Sequence, residues 1–245
     1  MRNEKKRIDM KKMQKALKAL LCATVVILQS SLFMSCKEED NTVEEFPDWK
    51  NKNEAYFQQV YDEASVKVLG NPWKAIRSWS LPDDLDESSL TAADHIVVNM
   101  LKNGGSTSPS PLYSDTVVIS YRGRLLPSTS YAEGMIFEDH LGDNSDPSTY
   151  TFLKMGVSQT LKVSSTGGTT VSSNINGFTT VLQHMHVGDF WRVYIPWQLG
   201  YGEEASASIP AYSTLVFDIY LKAYYHPGNP VPDIQGKTGM LWPTD

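Results

Sequence analysis

An α+β fold is the class that this sequence predicts, with an antiparallel sheet, and three observations predict it. From about residue 94 onward the apolar residues recur at every second position, the spacing of strands with one buried face. A single amphipathic helix breaks that pattern, with Phe178, Val181, Leu182 and Met185 at i, i+3, i+4 and i+7. Strands and helix do not alternate as they would in parallel βαβ units, so the helix is expected to cover one face of an antiparallel sheet.

The elements follow in chain order. Residues 53–69 place Phe57, Val60, Tyr61, Ala64 and Val68 on one face of a helix of about four turns, stopped at Gly70 with Pro72 beyond. That face either packs on its own domain or forms a homodimer with a second copy. Residues 70–91 are rich in loop formers, although Trp73, Ile76 and Trp79 suggest that they also lie on something. Residues 53–91 therefore read as a helical extension ahead of a domain at 92–226. Strands are expected at 95–101, at 115–126 (DTVVISYRGRLL), at 190–195 and at 214–224. In the second of these Val117, Ile119 and Tyr121 share a face. Asn176 is the expected N-cap of the helix at 178–185 and Gly188 its stop. Ile119, Leu182, Val193 and Leu221 are expected core. The tail, 227–245, holds Pro227, Pro230, Pro232 and Pro243 and reads as extended.

The N-terminus reads as an export signal. Residues 1–18 carry eight Lys or Arg against Glu4 and Asp9, and an apolar run follows over 19–33. About 15 residues fall short of the roughly 20 that span a bilayer as a helix, and basic, short apolar, then small is the order of a secretory signal. Leu32-Phe33-Met34-Ser35-Cys36 resembles, loosely, the lipobox of bacterial lipoproteins. That resemblance implies a signal at 1–35, a lipidated Cys36, a tether over 36–52 and an outer-membrane lipoprotein, on the periplasmic face or the cell surface. A single anchoring helix is the alternative. Lys37-Glu38-Glu39-Asp40-Asn41 resembles surface-export tags and equally suits a plain linker. Removing residues 1–35 takes 8 of the 22 basic and 2 of the 28 acidic residues, leaving 14 against 26, a net charge of −12. Such a surface repels nucleic acid and anionic lipid. Cys22 would leave with the signal, so the exported chain would hold itself together by burial rather than by a disulfide.

The most specific pattern lies further on. Gly177-Phe178 opens the helix and Met185 to Gly188 close it. Ile195-Pro196 and Tyr201-Gly202 end the next strand, and Ile209-Pro210 lead into Leu215, Phe217 and Leu221. Earlier come Val118, Tyr121, Gly123 and Leu125, then Gly134, Phe137 and Glu138. In this order the residues resemble FKBP-type peptidyl-prolyl isomerases over roughly residues 93–225. The resemblance implies an FKBP-like fold, an antiparallel twisted sheet wrapped on one short helix. It also implies isomerisation of X-Pro bonds in exported, proline-containing clients.

That reaction needs no nucleophile, metal or cofactor. The trans preference of an X-Pro bond is only ~0.5–1 kcal/mol, but amide resonance sets a barrier of about 18–20 kcal/mol. The twisted amide is less polar than the planar one, so an apolar pocket favours it, and a donor to the carbonyl oxygen holds it. By the resemblance, Phe178 is the pocket floor. Tyr121, Phe137, Ile175, Ile209 and Phe217 are walls, and the Ile175 N–H and the Tyr201 hydroxyl bind substrate carbonyls. Tyr150 or Phe152 is a further wall candidate. Glu138 stands where the family has Asp near the rim tyrosines, and a longer side chain is expected to miss them. Residues 124–134 are longer than usual, and the insertion at 157–174 is rich in Ser, Thr and Gly. These departures support a rival reading, a weak or inactive FKBP-like module that binds protein or ligand at the cell envelope. His184 and His186, about 200° apart on a helix, read as surface residues rather than metal ligands.

Overall fold

The computed structural model describes residues 43–66, 70–105, 107–142, 146–163 and 169–232. The signal segment, Cys36, the acidic cluster after it, Val68 and the end of the tail lie outside the described residues.

In chain order the elements are α1 (Trp49–Ser65), β1 (Trp73–Arg77), β2 (His95–Lys102), β3 (Thr116–Arg124), β4 (Ile136–Asp139), β5 (Leu153–Gly156), β6 (Gln159–Val163), β7 (Thr169–Ser173), α2 (Asn176–Leu182), β8 (Phe190–Ile195) and β9 (Leu215–Tyr225). Seven strands form one antiparallel sheet in the order β1-β2-β8-β9-β3-β4, and β5 shares with β4 the free edge of β3. The insertion is a separate antiparallel hairpin, β6 paired with β7, which gives backbone partners to a stretch rich in Ser, Thr and Gly.

Register decides the faces. Val193 pairs with Phe217, Trp191 with Ile219 and Tyr121 with Ile219, so these side chains share the inner face, where Phe178 of α2 meets Tyr121 and Phe217. Ile119, Leu182, Val193 and Leu221 are fully buried, as the alternation predicts. Gly177 permits the close approach of α2, because a Cβ there would come within 2.3 Å of Ile195 Cγ2.

Helix α1 lies on the opposite face. Tyr56 and Tyr61 meet Tyr194 and His95, which the register places on the outer side, and Trp73 stacks on Tyr194. The apolar stripe of α1 (Trp49, Phe57, Val60, Ala64) is buried in its own unit, which runs over Glu44–Asp245. Fully buried Asn53 accepts the Thr214 N–H at 2.7 Å and donates to the Trp49 carbonyl at 2.7 Å. Asn53→Ala would leave that N–H buried without its acceptor, a loss of about 1–3 kcal/mol to be read from the urea midpoint.

Several expected boundaries move. Helix α1 spans 49–65 rather than 53–69. Trp49 is drawn in by its Nε1–H bond to Ser213 Oγ at 2.8 Å, and the chain is already extended at Val66. The stretch expected as a tether, 36–52, thus overlaps the first turn of α1. Residues 53–91 are not helical throughout, because β1 pairs with β2 as an edge strand from Trp73↔Asn99 to Arg77↔His95. Helix α2 is capped from Ile175, not Asn176, and stops at Leu182. Its first turn is anchored from outside, by Asn174 Nδ2–H to the Gly156 and Val157 carbonyls and by Thr179 Oγ–H to Val157. Met185 is still buried, but in a turn beyond the helix.

Candidate functional site

Four aromatic rings drawn from four elements gather on the inner face of the sheet. Phe178 of α2 meets Phe217 of β9 with centroids 5.1 Å apart and Tyr121 of β3 at 5.4 Å. Tyr121 lies 5.8 Å from Phe217, and Phe137 of β4 lies 5.6 Å from Phe217. All four pairs meet edge to face, the arrangement that ring quadrupoles favour. Gly123 makes room for them, since a Cβ there would stand 2.4 Å from Phe137 Cε2 and 2.8 Å from Phe217 Cε1. Phe178 and Phe217 are buried, while Tyr121 and Phe137 are half-exposed at the opening.

Ile175 is half-buried against the same core at the start of α2. Its carbonyl accepts the Phe178 and Thr179 N–H groups, and among the described residues its own N–H takes no backbone acceptor. Ile209 is buried beside a two-residue turn, Ala207-Ser208, closed by paired backbone bonds between Ser206 and Ile209. Ser208 thus occupies a turn position, where an aliphatic side chain would gain no burial.

Tyr201 stands at the rim, 43% exposed. Its loop is pinned behind it, because the Gly202 N–H donates to the Trp197 carbonyl at 2.9 Å and the Tyr212 N–H donates to the Gly202 carbonyl at 2.9 Å. Burial, and then the charge of Glu138, raise the Tyr201 phenol above the usual tyrosine range. The same causes act more strongly on Tyr121, where burial leads, followed by the charge and hydrogen bonding of Glu138 and then by Tyr201. A phenol is already a protonated donor at neutral pH, and these shifts extend that state to higher pH.

Two expectations are corrected here. Glu138 does not miss Tyr121, to which its carboxylate is hydrogen-bonded, and its charge alone is felt at Tyr201; His140 Nε2 lies 3.0 Å from Glu138 Oε1. The His140 backbone is in turn locked to β3, with its N–H on the Tyr121 carbonyl and its carbonyl accepting Ser120 Oγ–H. Neither Tyr150 nor Phe152 lines the ring cluster. Both pack on Tyr220, at 5.8 and 6.1 Å, and Tyr220 pairs with Ser120 on the outer face.

The two histidines near the end of α2 have separate partners. His184 Nδ1 contacts the Thr180 carbonyl at 2.9 Å, and His186 Nδ1 lies 3.7 Å from Asp189. The sequence reading missed what braces the rim loops from behind, a set of contacts from residues more than 80 positions away, for which no local signal exists.

The FKBP-type peptidyl-prolyl cis-trans isomerase family model matches residues 108–222, which contain all four rings, Glu138, Ile175, Tyr201 and Ile209. Over these 115 of 245 residues the chain is similar to that family, and its fold is FKBP-like. The domain is similar to the FKBP-type isomerase FkpA of Aeromonas hydrophila, at 29% identity over 121 residues, 49% of this chain and 35% of that protein. It is also similar to the macrophage infectivity potentiator of Trypanosoma cruzi, at 30% over 118 residues, 48% of this chain and 47% of that protein. The FKBP-type 22 kDa isomerase of Escherichia coli K12 is 30% identical over 112 residues, 45% of this chain and 42% of that protein. The chain spans less than half the length of these curated relatives. Helix α1 and strands β1 and β2 precede the part matched by the FKBP-type family model.

Proposed function

We propose that this protein is a peptidyl-prolyl cis-trans isomerase that assists the folding of exported, proline-containing polypeptides. The observation that carries the reading is the convergence of Tyr121, Phe137, Phe178 and Phe217 beside a rim tyrosine held protonated. The rings offer a water-poor surface to the prolyl ring, where the less polar twisted amide is disfavoured less than the planar one. The Tyr201 O–H and the Ile175 N–H donate to carbonyls of the bound peptide and hold its orientation. Glu138 supports Tyr121. No bond to the enzyme forms, and no proton is transferred. Lipid attachment at Cys36, with the domain held at the outer membrane on its periplasmic or outer side, is part of this reading and rests on the N-terminal sequence pattern.

A second reading, a binding module with little catalysis, is favoured by one observation. Phe178 is only 5% exposed, so the floor presents little area to a prolyl ring.

The test is the cis-to-trans exchange rate of a short Xaa-Pro peptide, followed by NMR with catalytic amounts of the protein. Wild type should accelerate exchange. Tyr201→Phe should lower kcat/KM about tenfold, the effect of one lost hydrogen bond of roughly 1.4 kcal/mol. A folded wild type without acceleration would sink the enzyme reading and leave the binding module.

A further inference from the structure

The segment at 44–54 touches both loops that border the ring cluster. On one side Glu45 Oε1 accepts Ser128 Oγ–H at 2.5 Å and the Ser130 N–H at 2.9 Å. Thr129 adds two bonds to the backbone carbonyls of Glu44 and Glu45. That loop leads directly into β4 and Phe137. On the other side, the first turns of α1 grip the loop of Tyr201. Lys50 Nζ lies 4.5 Å from the Tyr212 ring centroid and 5.6 Å from that of Trp197. Glu54 Oε1 accepts the Trp197 Nε1–H at 3.3 Å, and the Trp197 and Tyr212 rings meet edge to face at 5.1 Å.

Trp197 and Tyr212 are also the residues whose backbones hold Gly202, the neighbour of Tyr201. Tyr212 itself takes a left-handed backbone, φ 59°, which a residue with a Cβ adopts only when its surroundings enforce it. Lys50 over its ring helps fix where that ring sits beside Trp197. Lys50 and Glu54 are exposed and lie outside the core stripe of α1, so their contacts contribute to the loop rather than to the fold.

We propose that Lys50 and Glu54 are positioning residues for the site. In concert with Glu45, they clamp the two rim loops and hold Tyr201 at the angle its donor role requires. This inference rests on the isomerase reading for its consequence in activity, but not for the clamp itself.

The experiment uses the full chain with two double variants, Lys50→Ala/Glu54→Ala and the conservative Lys50→Arg/Glu54→Gln. Arginine keeps a cation over the ring and glutamine keeps an acceptor for Trp197. Two readouts are taken, amide hydrogen exchange at Gly202 and the kinetics of Xaa-Pro exchange. In the alanine variant Gly202 exchange should rise about tenfold, the sum of one cation–π contact and one hydrogen bond, while the urea midpoint falls by no more than that same loss accounts for. Its kcat/KM should fall about fivefold, mainly through KM, and the conservative variant should restore both. Unchanged Gly202 exchange overturns the proposal, as does a rise that the conservative variant does not reverse. If wild type shows no catalysis, the isomerase reading fails and Gly202 exchange alone decides the clamp.

Discussion

Phe178→Ala is expected to abolish catalysed prolyl exchange and to lower unfolding stability by about 3–5 kcal/mol, as phenylalanine truncations in closed cores do. The ring is buried and meets two other aromatic rings edge to face, so its loss removes packing as well as area. Domains of this size are stable by roughly 5–15 kcal/mol, so the variant would fold weakly and its inactivity alone would be ambiguous. Phe178→Leu separates the two effects. Leucine retains most of the volume, costs about 1.5 kcal/mol or less and replaces the flat floor with a branched one. The expected outcome is a urea midpoint close to wild type with exchange catalysis reduced at least tenfold. A Phe178→Leu protein with wild-type kcat/KM would show that the aromatic floor is not what the reaction uses.

Stability is expected to hold up to about pH 9.5 and to fall steeply above pH 10. Burial raises the Tyr194 phenol to about 12, with the charge of Tyr56 as the next cause, and it raises Tyr121 further still. Between the unfolded value near 10 and the folded value, the unfolded chain has released these protons and the native chain has not. The native state then binds more protons, so the free energy of unfolding decreases as pH rises. Each such phenol costs about 1.4 kcal/mol per pH unit across that window. Tyr121 and Tyr194 together make about 2–3 kcal/mol by pH 11. Burial lowers the Lys222 ammonium and acts in the opposite direction, but it is one group. Urea midpoints at pH 8, 9.5 and 11, for wild type and Tyr194→Phe, check this. The substitution should flatten the decline, and a wild-type midpoint that does not move by pH 11 would refute the assignment.

The residues that build the ring cluster were legible because each sits in a local pattern. Tyr121 belongs to an alternating strand, Phe178 to a 3.6-period helix and Phe217 to a second alternating strand. Local periodicity is a property of neighbouring residues, and it survives in the sequence whatever the rest of the chain does. The family pattern then ordered these pieces around one site. The strand at Trp73–Arg77 was not legible, since five half-covered residues with a weak alternation become a strand only when β2 lends its edge. The insertion at 157–174, rich in Ser, Thr and Gly, carries no strand signal of its own. Pairing from Gln159↔Ser173 to Val163↔Thr169 makes it a hairpin.

By itself, then, the sequence determined the α+β class, the inner faces of β3, β8 and β9, the helix that carries Phe178, and the identity of the rings and the rim tyrosine. The class, the faces and the helix follow from the local period of apolar residues, and the rings and rim tyrosine from the resemblance of motifs spread from Val118 to Leu221. The tertiary structure alone decided that Glu138 reaches Tyr121, that Tyr150 and Phe152 face away from the rings, and that α1 begins at Trp49. It also decided that Glu45, Lys50 and Glu54 bear on the rim loops. Each of these is a contact across 17 to 164 positions of chain, where the partner is set by strand register and closure of the sheet and not by any neighbour in sequence.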